Sequence, residues 1–86
     1  MIKKAYELLT NADNDFIIVN HADNKRTANF NSFEFEIEGN VIFYYFKGNF
    51  SLELIEDSFK EAVTELLSKN DIDFKFTKIN AIRIFN

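Results

Sequence analysis

Phe33, Phe35 and Ile37 alternate with Glu34, Glu36 and Glu38, the period of two that a half-buried strand carries. Gly39-Asn40 follows, a two-residue hairpin turn of the kind that needs positive φ. Val41 to Lys47 is the returning strand. With the loop placed there, Glu38 opposes Val41, Ile37 opposes Ile42 and Phe35 opposes Tyr44. One face of this hairpin holds Phe33, Phe35, Ile37, Ile42, Tyr44 and Phe46. The other holds Glu34, Glu36, Glu38, Val41, Phe43 and Tyr45.

Two stretches carry helical spacing instead. Ile2, Ala5, Tyr6 and Leu9 predict a short amphipathic helix over residues 2 to 11. The turn-forming run Asn11 to Asp15 stops it. Leu52, Ile55, Phe59, Ala62, Val63 and Leu66 form the apolar stripe of a second helix, from Leu52 to Lys69. Ser51 is its expected N-cap. Glu53, Glu56 and Asp57 lie in its first turns, where the macrodipole favours negative charge, and Asn70 is its expected stop.

The remaining segments are shorter. Phe16 to Val19 is β-branched and aromatic, hence a strand, while the polar run His21 to Asn29 is expected to be loop. Ile72, Phe74 and Phe76 alternate with Asp73, Lys75 and Thr77, and Ala81 to Phe85 is extended. This tail is either one long bulged strand or a hairpin turning near Lys78-Ile79-Asn80. The order α-β-β-β-α-β predicts one α+β domain over residues 1–86. Its antiparallel sheet has four to five strands, with two helices packed on one face.

The chain has 86 residues, so it buries only about 60% of its unfolded surface. Eleven phenylalanines supply the bulk that its small core needs. There is no cysteine, hence no disulfide, thiolate or zinc knuckle. No long apolar run follows Lys3-Lys4, and the longest, Val41 to Phe46, is too short to cross a bilayer. The abundance of Asn, Ile, Lys and Phe suggests an AT-rich bacterial or phage genome, so a bacterial cytoplasm is the expected location.

The net charge is −4, which argues against nucleic-acid binding, where a basic footprint carries most of the affinity. The charge is also segregated. Residues 31–65 hold eight acids and two bases, a net of −6, and the rest of the chain is +2. Glu53, Asp57, Glu61 and Glu65 recur every four residues, so on a helix each rotates only about 40° from the last and the four form a ridge. Like charges at that spacing disfavour the helix by ~0.2–0.5 kcal/mol per pair. Leu54 falls on the same outward side. The second acidic feature is the hairpin face, where Glu34, Glu36 and Glu38 lie across from Tyr45, Phe43 and Val41. Aromatic residues interleaved with acids give contact area and selection for a basic partner.

Other motifs reduce to ordinary structure. His21 is the lone histidine and spacing implies no nucleophile or orienting carboxylate near it. Asp13-Asn14-Asp15 and Asp23-Asn24 lack the glycine and distal glutamate of a calcium loop, so turn chemistry accounts for them. Gly39 and Gly48 are too isolated to cradle phosphate. No catalytic residue, metal ligand or cofactor is expected.

The α-β-β-β-α order over residues 2–69 resembles the double-stranded-RNA-binding domain. That family places a lysine cluster at the start of its last helix. Here the position reads Ser51-Leu52-Glu53-Leu54-Ile55-Glu56-Asp57, which removes RNA binding from the expectation. In size, acidity and layout the chain is also similar to small acidic anti-CRISPR proteins of phages. That resemblance implies a non-enzymatic inhibitor that mimics nucleic-acid charge. The segregated charge of this chain supplies the surface such an inhibitor would use: Glu34, Glu36, Glu38, Glu53, Asp57, Glu61 and Glu65, with Phe43, Tyr45 and Leu54 as apolar anchors, docking on the basic nucleic-acid-binding site of a host protein. The alternative is a homodimer or complex subunit, with the Val41/Phe43/Tyr45 face or an edge strand pairing with a second copy.

Overall fold

The structure, a computed structural model, describes residues 1–12, 15–21, 24–77 and 79–85; for 15–21 and 24–27 it is the backbone that is described. The chain runs α1 (Ile2–Asn11), β1 (Asp15–His21), β2 (Asn24–Asn29), β3 (Phe33–Glu38), β4 (Val41–Phe46), α2 (Glu56–Lys69), β5 (Phe74–Phe76) and β6 (Ala81–Ile84). It is an α+β fold with the expected order of helices and sheet. All strand pairings are antiparallel: β1 with β2 in one sheet, and a four-stranded sheet in the order β3-β4-β6-β5.

The hairpin register is the one its pattern predicts, with Glu38 opposite Val41, Ile37 opposite Ile42 and Phe35 opposite Tyr44. Of the two turn residues, the positive φ (63°) falls on Gly39, which adopts it without the Cβ penalty that other residues carry. The tail is a hairpin, and β6 inserts between β4 and β5. Asn80 takes the positive φ, 25°, at that turn.

Two expectations need correction. Of the run His21 to Asn29, read as loop, His21 closes β1 and Asn24–Asn29 is strand β2, paired with β1 from His21↔Asn24 to Asp15↔Asn29. A chain carrying one apolar residue in six offers no period to read, and cross-strand hydrogen bonds decide its conformation. The turn expectations at Asp13-Asn14 and Asp23 lie outside the described residues. The second helix begins at Glu56, not Leu52. Leu52–Leu54 is a 3-10 turn, capped by Ser51, whose hydroxyl accepts the Glu53 N–H at 3.3 Å. Ile55 (φ −124°, ψ 0°) then breaks the helical path. Its N–H closes the 3-10 turn on the Leu52 carbonyl, and its own carbonyl accepts the Phe59 N–H that opens α2. Asn70 does end α2, its amide donating to the Leu66 carbonyl at 2.8 Å.

Both helices share one core with one face of the four-stranded sheet. Ala5 and Leu9 from α1, Phe59, Val63 and Leu67 from α2, and Phe33, Phe35, Ile42, Tyr44, Ile82 and Ile84 from the sheet are all buried together. Leu67, outside the predicted stripe, is fully buried, whereas Leu66 is half-buried. Phe59 is the hub. Its ring stacks 4.0 Å from Phe33 and lies 4.8 Å from Tyr44, 6.0 Å from Phe30 and 6.4 Å from Phe35. A reciprocal capping box sets up that hub by turning Phe30 inward. The Asn29 side chain accepts the Asn31 N–H at 2.9 Å, and Ser32 Oγ accepts the Asn29 N–H at 3.2 Å.

Candidate protein-interaction surface

Because side chains alternate along a strand, burying Phe33, Phe35, Ile42, Tyr44, Ile82 and Ile84 turns their neighbours to the sheet's other face. None of Val41, Phe43, Tyr45 or Ala81 belongs to the helix-covered core. Register fixes the layout of this outer face in rows. Glu38, Val41, Arg83 and Lys75 make one row, and Glu36, Phe43 and Ala81 the next, with Thr77 joining through its N–H to the Ala81 carbonyl; Glu34 and Tyr45 begin the third. The columns therefore differ in chemistry. β3 presents carboxylates, β4 presents Val41, Phe43 and Tyr45, β6 presents Ala81 and Arg83, and β5 presents Lys75.

Tyr45 is 46% exposed, Val41 and Phe43 are half-buried, and Glu34, Glu36, Glu38, Lys75 and Arg83 are exposed. From the acidic column Lys75 is three strand spacings away, about 14 Å, and Arg83 two, about 10 Å. Lys75 lies well beyond the ~8 Å Debye length at physiological ionic strength and Arg83 a little beyond it, so Glu34 and Glu36 keep their charge and, from across the sheet, only Glu38 is tempered, by Arg83 in its own row. Lys47, one row beyond Glu34, and Asp73, one row beyond Lys75, temper the two edges at their corners. Two hollows flank the apolar centre. One, about 460 Å³, runs along β3 and is lined by Tyr6, Thr10, Phe30, Phe33, Glu34, Glu36 and Tyr45 among others. The other, about 470 Å³, lies on the basic half between Lys75, Phe76, Thr77, Arg83 and Phe85.

The acids of α2 point elsewhere. Asp57, Glu61 and Glu65 are exposed, and at about 100° per residue they centre roughly 160° away from Phe59, Val63 and Leu67, which face the sheet. They make no ion pair with another described residue. Lys60 pairs with Glu56 at 3.3 Å, and its ammonium lies 5.5 Å from the Phe76 ring centre. Glu53 and Leu54 sit on the 3-10 turn, off the helical ridge expected of them. The seven predicted carboxylates are thus not one surface. Glu34, Glu36 and Glu38 look out from the sheet layer, and Asp57, Glu61 and Glu65 look out from the helix layer, in opposite directions.

Burial pushes the Tyr44 phenol up to about 12, and the Glu56 carboxylate adds to the shift. Among the described residues no group of three His, Asp or Glu side chains converges as metal ligands would, and no helix is long and apolar enough to cross a membrane. The residues that sequence reasoning missed are Lys75 and Arg83. The alternation around Phe74 and Phe76 contained the signal for Lys75, but Arg83 needed the strand order. No protein-family model, curated protein or solved structure matches the chain.

Proposed function

We propose that this chain is a protein-binding domain that meets its partner with the uncovered face of its four-stranded sheet. The supporting observation is the Val41/Phe43/Tyr45 strip, held between a carboxylate column and a basic one on a face that neither helix covers. A central apolar and aromatic patch with a charged rim is the composition of a protein interface. Binding along the β3 edge is the weaker choice. An edge strand with Glu at alternate positions is protected against strand addition, and antiparallel β3–β3 pairing would set carboxylates against carboxylates. The test is a photo-reactive benzoylphenylalanine in place of Tyr45, irradiated in the purified chain and in extract of the source organism. Protein adducts that disappear when Phe43→Glu is added support the face as the binding site. Absence of any Phe43-dependent adduct refutes it.

A second reading keeps the inhibitor. The α2 ridge would dock on a basic, nucleic-acid-binding site of a host protein, as the likeness to anti-CRISPR proteins implies. The exposed line Asp57, Glu61, Glu65 favours it. Magnitude counts against it: the ridge holds one charge per about 6 Å of helix, against one per ~3.4 Å along each DNA strand. Competition against duplex DNA for a basic DNA-binding protein decides. Displacement that Asp57→Lys, Glu61→Lys and Glu65→Lys together abolish supports mimicry, and displacement unchanged by them removes it.

A further inference from the structure

We infer that the occupant of the uncovered sheet face is a second copy of this chain, related by a two-fold axis that runs along the strands between β4 and β6. The inference rests on the sheet-face reading above and names its partner. Such an axis lays each column of one copy on the mirror-placed column of the other. The β3 column then covers the partner copy's β5, and β4 covers its β6. In the first row Glu38 meets Lys75, with Arg83 one strand spacing to the side. In the second row Phe43 lies over Ala81, which is only 3% exposed within one chain, so this row adds contact at its margin and not a ring-filled socket. Glu38 of each copy enters the hollow beside Lys75 and Arg83 on the other, and Glu36 lies over Thr77 at its margin.

Charge selects this axis over its rival. A two-fold axis across the strands would place β3 over β3 and Glu34, Glu36 and Glu38 over their own equivalents. Like charges so placed cost several kcal/mol. Both axes keep the strand lines nearly aligned, as face-packed sheets prefer, so charge alone separates them. Strand and sheet spacings bring the opposed charges within reach, since faces pack about 10 Å apart and a Glu and a Lys or Arg side chain together span that gap.

The face is small. Four strands at about 4.8 Å by about five residues at ~3.3 Å give a footprint near 300 Å², well below the ~800 Å² that each partner of a stable complex buries. The dimer is therefore weak and is sought at roughly 5–500 μM chain by sedimentation equilibrium. The decisive variants reverse each edge at exposed positions, with circular dichroism confirming the fold. One carries Glu34→Lys, Glu36→Lys and Glu38→Lys; the other carries Lys75→Glu and Arg83→Glu. Each alone is expected to lose dimerisation by at least ~10-fold, and an equimolar mixture to recover it as a heterodimer. A wild-type chain that stays monomeric overturns the inference, as does a dimer that neither variant weakens or a mixture that does not recover. Adducts at position 45 to other proteins alone would retain the face as a binding site while ruling out the second copy. Loss of every Phe43-dependent adduct would remove both.

Discussion

Truncating Phe59 to alanine removes the ring around which the core is assembled. Phe59 is fully buried, and four aromatic rings have centres within 6.4 Å of its own. An aromatic side chain buries about 150–250 Å², which at ~25 cal/mol per Å² is worth about 4–6 kcal/mol. The alanine methyl retains part of that, and the surrounding rings collapse only partly into the void, so the expected loss is about 4 kcal/mol, within the ~3–5 found for Phe→Ala in cores. A chain of this length has about 4–13 kcal/mol to lose. The variant is thus marginal, with Tm lowered by roughly 15–30 °C. Urea unfolding followed by far-ultraviolet circular dichroism measures the loss as a lower midpoint at unchanged slope. Phe50→Ala is the internal comparison. Phe50 is half-buried at the core margin, 5.0 Å from Phe46, and its truncation should cost about 1–2 kcal/mol. Equal losses for the two variants, or a loss under ~2 kcal/mol for Phe59→Ala, would refute the placing of the core around this ring.

Three further perturbations test other parts of the fold. The unfolded chain releases the Tyr44 proton near pH 10 and the folded chain near 12; between those values the unfolded state binds fewer protons, so stability present below pH 10 falls with rising pH, by about 3 kcal/mol in all. Tyr44→Phe should remove that part of the alkaline decline in denaturation curves measured from neutral pH to 12, and an unchanged decline would contradict it. A Cβ at Gly48 would overlap the Phe46 ring, which packs 5.2 Å from Phe33 and 5.0 Å from Phe50, so Gly48→Ala should cost ~1–3 kcal/mol as overpacking. The same urea titration reads it, and a neutral result would mean that Phe46 has another place to go. Ser51→Ala should cost about 1 kcal/mol, because the Glu53 N–H loses its acceptor, and Ser51→Asp should restore most of it.

The parts of the fold legible in the sequence are those in which one local rule has one solution. A two-residue loop and a strict alternation leave the β3–β4 hairpin a single register, since slipping β3 by one residue would expose Phe33 and Phe35 and bury the glutamates. The break at Ile55 was hidden because a 3-10 turn and an α-helix share the spacing. Leu52 to Ile55 is three residues and Ile55 to Phe59 is four, so a continuous helix and a broken one carry the same apolar stripe. The spacing of Asp57, Glu61 and Glu65 correctly placed them together. That they face away from Glu34, Glu36 and Glu38 follows only from α2 lying on the other side of the sheet. The basic column is a product of strand order too: Arg83 joins Lys75 beside β4 because β6 inserts between β4 and β5.

Opposed acidic faces give the self-association inference a sharper control than salt. Two wild-type copies each carry −4, so their long-range field opposes encounter while the docked rows attract. Raising the salt screens both terms, and its net effect does not identify the interface. Reversing edges separates them. The β3 variant has net charge +2 and the Lys75/Arg83 variant −8, so their mixture gains long-range attraction as well as matched rows and should associate more tightly than wild type. Attraction alone would mimic that result. Reversing Asp57, Glu61 and Glu65 instead also gives +2, but on the helix layer, with the carboxylates of β3 left in place. Mixed with the Lys75/Arg83 variant, it should associate more weakly than the pair with both edges reversed, because one of the two edge contacts then sets β3 glutamates over glutamates while only the other stays matched. Equal association in the two mixtures would mean that net charge, not the rows of the sheet face, brings the copies together.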